Sequence, residues 1–164
     1  MKAEPERRII VSVAEQRLRL FEAGVLIQDY AVSTGRNGLG EENGSGCTPR
    51  GPHRIRIKIG ANCPKGSVFV GRRPTGEIYC PELAEAFPQR DWILSRILWL
   101  TGMEQGRNRG GQCDTLRRFI YIHGAPDREP MGVALSHGCI RMGNDDLIEL
   151  FDRVRAGDPV LIQA

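Results

Sequence analysis

Period-two alternation of apolar and polar residues through the first third of the chain, two long glycine-rich connections, and one strongly amphipathic stretch near the C-terminal end predict a mainly β fold. The expected form is β-rich mixed sheets or a sandwich with one or two short helices. Residues 1–8 read as an N-terminal extension and 9–164 as a single domain. A chain of 164 residues builds one sizeable core, and two packed catalytic domains are ruled out.

Ile9, Val11 and Val13 form the first alternating set and Leu18 and Leu20 the second. After the turn-like Glu22-Ala23-Gly24, Leu26 leads into Gln28 to Val32, which completes a three-strand meander. Residues 33–52 are too rich in glycine and proline for a helix or central strand and read as a long surface loop. Strand character resumes over His53 to Ile59, where Ile55, Ile57 and Ile59 should share a buried face and Arg54, Arg56 and Lys58 a wet one. Short strands follow near Ser67 to Val70 and Glu77 to Tyr79, then a helical turn at Pro81 to Phe87. Residues 92–100 fit a buried helix or a strand, with strand favoured, and Gly102 to Asp114 is a second exposed loop. Phe119 to Ile122 is a short apolar strand ending at His123-Gly124. The clearest helix is Asp145 to Arg155, with Asn144 as its cap, acids in its first turn and bases in its last. Asp158 to Ile162 closes the chain as a strand.

Composition narrows the function classes. Hydrophobic residues at 40% and charged ones at 26% describe an ordinary globular protein. The longest apolar run, Trp92 to Leu100, is broken by Ser95 and Arg96, so nothing spans a bilayer as a helix. The charged start, Met1 to Arg8, lacks the apolar stretch and cleavage site of a secretory signal, which predicts a cytoplasmic protein. A net charge of +3 with scattered basic residues argues against nucleic acid as a partner.

Chemistry concentrates in Ser136-His137-Gly138-Cys139-Ile140-Arg141, preceded by His123-Gly124. A solitary cysteine or histidine is more often a buried structural side chain, but here one thiol and two imidazoles fall within 17 residues. Cysteine attacks as the thiolate, so its pKa must be lowered by a cation or an oriented imidazole, and His123 and His137 are both available bases. Gly138 lets the backbone approach a substrate, and an N–H around Gly138 and Cys139 could face a developing oxyanion.

The string Ser136 to Met142 after His123-Gly124 closely resembles the signature of the L,D-transpeptidase (YkuD-type) family, and Thr48-Pro49-Arg50-Gly51 looks like its upstream T-P-x-G element. Similarity continues through Asn144 to Leu147 and Gly157 to Ile162. The resemblance implies that Cys139 is the nucleophile, that His123 activates it, and that His137, Gly138, Ser136 and Gly124 shape the site and its oxyanion hole. Arg141 would contact the substrate's carboxylate, with Tyr121 as a further wall of the pocket. Some relatives carry Asn where Arg141 stands, and the twelve residues between His123 and Ser136 make a short spacer, suggesting a trimmed loop.

The resemblance further implies no metal or organic cofactor, and substrates that are peptidoglycan stem peptides cut between meso-diaminopimelate and terminal D-Ala. Soluble muropeptides and water as acceptor, an L,D-carboxypeptidase, are preferred over amine acceptors that yield 3,3 cross-links. A different class, a metal-binding or redox-sensing module, would use Cys47, Cys63, Cys80 or Cys113, whose spacings match no common zinc pattern. His53, Trp92 and Trp99 read as structural or as pocket wall.

Overall fold

A computed structural model describes residues 6–164, so the first five residues of the expected extension lie outside the described residues. The alternating segments form β1 (Arg7–Ser12), β2 (Arg17–Glu22) and β3 (Val25–Ser33), so the first strand already takes in Arg7 and Arg8. Then come β4 (Gly51–Ile59), β5 (Ser67–Val70), β6 (Arg73–Ile78), the short helix α1 (Pro81–Ala86) and β7 (Ile93–Gly102). The last elements are β8 (Tyr121–Gly124), β9 (Ile140–Met142), α2 (Asn144–Arg153) and β10 (Pro159–Gln163). The expected mainly β class with two short helices is what is found.

The strands run β4-β10-β1-β2-β3-β9-β8-β7, and β4 also pairs with β7, so the sheet curls back on itself like a barrel. Strand β7 is long enough to share one edge between two partners. Ile97 to Gly102 pair with β4, and Ile93 and Leu94 pair with β5, from which β6 hangs as an outer hairpin strand. Most neighbours are antiparallel, whereas β1/β10 and β8/β9 are parallel. The main core gathers Ile9, Leu18, Leu20, Ile122, Ile140 and Met142 with Leu147, Leu150 and Phe151 of α2. Phe69, Ile97 and Tyr121 form a smaller cluster with Cys139 and Trp99 at its edge.

Four local expectations are corrected. The β4/β7 register shifts between Ile55 and Ile57, and this bulge ends the shared face: Ile55 is buried, Ile57 is 39% exposed. Lys58, expected in water, instead donates to the carbonyls of Phe151 and Val154 at the C-terminal end of α2, where the helix dipole favours a cation. Asn144 does not cap α2. Its side chain is buried, accepting from Ser95 Oγ at 2.6 Å and donating to Ala125 O at 2.9 Å, and Gly143 occupies the cap position. The second glycine-rich loop is not wholly exposed either. Fully buried Asn108 donates to Arg50 O and Pro52 O, and a side chain at Gly102 would collide with the Asn108 carbonyl.

His53 is structural, as expected. Its Nδ1 meets Gly51 O at 2.9 Å and its Nε2 meets Thr115 Oγ1 at 3.0 Å, and burial lowers its pKa to about 4. The unfolded chain protonates this ring near pH 6.5 while the folded chain resists, so stability is complete above that pH and falls as pH drops towards 4. The shift corresponds to about 3 kcal/mol. Urea melts of the His53→Gln variant should show a markedly shallower loss of stability between pH 6.5 and 4 than wild type, and a parallel loss would show that another group carries it.

Candidate active site

Strands β8 and β9 pair in parallel, with Ile122 opposite Ile140 and His123 opposite Arg141. Both isoleucines point into the main core. Alternation therefore turns Tyr121, His123, Cys139 and Arg141 to the opposite face, where Tyr121 and Cys139 meet in the smaller cluster. Residues far apart in the chain thus share one wall.

The half-buried Cys139 thiol donates to Phe119 O at 3.3 Å, and its sulfur accepts the Tyr121 N–H at 3.3 Å. Burial pushes the thiol up to about 12, and neither the Tyr121 N–H nor the more distant Arg141 and Arg118 offsets it. The expectation of a thiol acidified by a neighbouring imidazole is thus corrected: the resting group is a protonated thiol. Among the described residues, no hydrogen bond joins it to a histidine.

His123 is fully buried, and burial lowers its pKa, so the ring is neutral. Its Nδ1 lies 2.7 Å from Gly124 O. A carbonyl only accepts, so Nδ1 carries the proton and Nε2 keeps its lone pair as a base. His137 stands apart, its side chain 68% exposed with Nδ1 3.5 Å from Asp91 Oδ2. Of the two candidate bases, His123 is the one on the thiol's own face.

The turn before Cys139 is held by side-chain hydroxyls. Ser136 Oγ donates to Cys139 O at 2.5 Å and accepts the Gly138 N–H at 3.1 Å. Thr48 Oγ1, from the upstream loop, donates to Gly138 O and accepts the Gly35 N–H, both at 2.8 Å. Gly138 has φ +123°, and a β-carbon there would lie 2.9 Å from Cys47 O, so only glycine fits. Because Ser136 takes the Gly138 N–H, the Cys139 N–H is the donor left for an oxyanion. Gly124 is likewise required, since a β-carbon would stand 2.4 Å from Asn144 Oδ1.

Arg141 departs from its expected role. It is buried and its guanidinium is already engaged, with Nη2 3.2 Å from Asp91 Oδ1 and Nη1 3.2 Å from Glu129 Oε2. A substrate carboxylate would have to displace both, so Arg141 is a positioning residue whose partner Asp91 also reaches His137. Tyr121 contributes its backbone N–H to the sulfur, while its ring packs edge-on to Trp99 at 5.8 Å.

Several members of the site escape sequence reasoning: Phe119 through its carbonyl, Asp91, and Arg118, whose guanidinium holds Cys47 O at 2.7 Å and Gly40 O at 3.2 Å. Arg117 and Arg118 adjoin in the chain, but nothing local to them shows which loop Arg118 grips. A cavity of about 350 Å³ lined by Lys65, Tyr79, Cys80, Leu94, Arg128 and Asn144 includes neither Cys139 nor His123 in its wall. Cys47, Cys63, Cys80 and Cys113 are free thiols, and no group of three or more His, Cys, Asp or Glu among the described residues is placed to hold a metal.

Two outcomes follow from this geometry. Iodoacetamide labelling of Cys139, followed by peptide mapping, should keep accelerating past pH 9, where an ordinary thiol of pKa about 8.5 levels off. A plateau below pH 8 would show a resting thiolate. Thr48→Val keeps the shape but leaves Gly138 O and the Gly35 N–H unpaired, and at about 1–3 kcal/mol for each buried orphan the melting temperature should drop by several degrees.

The family model for the L,D-transpeptidase catalytic domain, YkuD, matches residues 6–162. YqjB of Bacillus subtilis (strain 168) is 44% identical over 45 residues, 27% of this chain and 26% of that protein. An L,D-transpeptidase from Mycobacterium smegmatis superposes with a TM-score of 0.62 at 20% identity, covering 98% of this chain and 59% of that one. L,D-transpeptidase 3 from Mycobacterium tuberculosis, solved with a faropenem-derived adduct, gives 0.60 at 19% identity over 98% of this chain and 61% of that one. The chain therefore spans about three-fifths of these solved chains and about a quarter of YqjB.

Proposed function

The chain belongs to the YkuD L,D-transpeptidase catalytic-domain family, and from that premise we propose that it breaks the bond between meso-diaminopimelate and terminal D-Ala in peptidoglycan stem peptides, with water completing the reaction. The observation that supports this reading is that alternation on β8 and β9 turns the Cys139 thiol and the neutral His123 ring, whose Nδ1 is taken by Gly124 O, to the same face.

Each group has a step. On substrate binding the thiol turns from Phe119 O and passes its proton to His123 Nε2 as sulfur attacks the carbonyl. The oxyanion forms against the Cys139 N–H, and the protonated His123 then gives its proton to the departing D-Ala amine, leaving a thioester. In the second half His123 takes a proton from water, the hydroxide attacks the thioester, and the tripeptide leaves as Cys139 regains its proton. Water at bulk concentration resolves the acyl-enzyme unless an amine is bound and oriented to compete.

A disaccharide tetrapeptide incubated with the protein, with and without an amine acceptor, should yield tripeptide and free D-Ala by mass spectrometry. Conversion chiefly into 3,3-linked dimers would move the acceptor to an amine. Cys139→Ala and Cys139→Ser should lose at least about a thousandfold in turnover while melting as wild type does, because a methyl cannot attack and a hydroxyl is far weaker than a thiolate. A penem or carbapenem should add one mass adduct per chain, on Cys139, as the solved relative with its faropenem-derived adduct suggests. An active Cys139→Ala protein would overturn the mechanism.

A further inference from the structure

With Arg141 occupied, a second cation, Arg72, stands at the aromatic rim beside Cys139. Arg72 sits at the tip of the β5–β6 hairpin, where Gly71 and Arg72 have φ of +56° and +64°. Turns of this hand favour glycine or asparagine and disfavour a side chain with a β-carbon. The strained tip carries the guanidinium onto the aromatic rim of the site, 4.6 Å from the Phe119 ring centre and 5.2 Å from that of Trp99, with Nη1 donating to Tyr121 Oη at 3.2 Å. Phe119 is the residue whose carbonyl holds the Cys139 S–H, and Tyr121 the one whose N–H holds its sulfur. Among the described residues, no carboxylate pairs with Arg72. Tyr121 takes one of the five guanidinium N–H bonds, which leaves donors for an acid.

We propose that Arg72 binds a carboxylate of the substrate beside Cys139, the role that the motif alone points to at Arg141. This rests on the stem-peptide reading above. The two residues joined by the scissile bond each offer this chemistry: the terminal carboxylate of D-Ala close to the scissile carbonyl, and the side-chain carboxylate of diaminopimelate at the far end of its chain. Arginine suits either, since its fork matches both oxygens while the aromatic rings hold it flat.

The test measures tetrapeptide binding by calorimetry to full-length Cys139→Ala protein, which cannot turn the ligand over, with and without Arg72→Gln or Arg72→Lys. Three ligands are compared: the parent tetrapeptide, its D-Ala amide, and the form amidated at the diaminopimelate side-chain carboxylate. Arg72→Gln should weaken binding of the parent about tenfold, Arg72→Lys by less, and the amide lacking the recognised carboxylate should bind equally with and without Arg72. That ligand identifies which carboxylate is read. Equal loss on all three ligands would reduce Arg72 to a hairpin clamp and overturn the proposal, as would unchanged binding of the parent; a variant that melts early is replaced in the comparison by Arg72→Lys, whose charge is retained. Absence of D-Ala release by the wild-type enzyme defeats the stem-peptide reading instead, and Cys139→Ala protein that binds no tetrapeptide defeats both.

Discussion

The site depends on one constraint, the register of the parallel pair β8/β9. Ile122 and Ile140 stand opposite each other with no exposure, inside the core that also takes Leu147 and Leu150 of α2. Burying side chains of that size contributes roughly 1.5–3 kcal/mol each, and a slip of one residue would exchange the two faces of the slipped strand. The same burial that holds the isoleucines inward therefore holds Tyr121, His123, Cys139 and Arg141 outward. The placing of these four side chains is the complement of core packing, and among the described residues no hydrogen bond joins Cys139 to His123.

Around that pair, the loops are tied by polar groups that leave few alternatives. Thr48 spans Gly35 and Gly138, Ser136 closes the turn onto Cys139 O, and Arg118 holds Cys47 O, so the loop after β3 and the loop before β9 brace each other. Each buried hydroxyl here both donates and accepts, which avoids the cost of an orphaned partner. Gly138 allows this close approach because its missing β-carbon would press on Cys47 O. The T-P-x-G element is thus a brace for the nucleophile's turn and places no side chain on the thiol itself.

What was legible in the chain was whatever is local. Alternation at Ile9, Val11, Leu18 and Leu20 showed the meander, and the clustering of His123, His137 and Cys139 showed where the chemistry lies. What failed depended on distant partners. Ile57 leaves the buried face because a bulge against β7 interrupts the alternation, and Asn144 abandons the cap because Ser95 and Ala125 claim its side chain. Arg141 looked free because Asp91 and Glu129 lie 50 and 12 residues before it. Arg72 carried no signal at all, since its place on the rim is set by a hairpin tip and three aromatic residues from other elements.

A protonated thiol and a neutral imidazole are a physically reasonable resting state for so enclosed a site. Forming the thiolate and imidazolium without substrate would place two charges where desolvation penalises both, and a buried ion pair rarely recovers that penalty fully. In the proposed reaction, substrate would let negative charge move on from sulfur to the carbonyl oxygen, where the Cys139 N–H could meet it, and positive charge on His123 would be short-lived. The proton transfer then becomes favourable chiefly when there is a carbonyl to receive the charge. The S–H meanwhile rests on Phe119 O, and the residue that holds it belongs to the rim that Arg72 covers. Phe119 thus meets both groups, its carbonyl accepting the Cys139 S–H and its ring lying against Arg72, so under the proposed reaction a ligand bound at that rim would act on the residue that also holds the thiol.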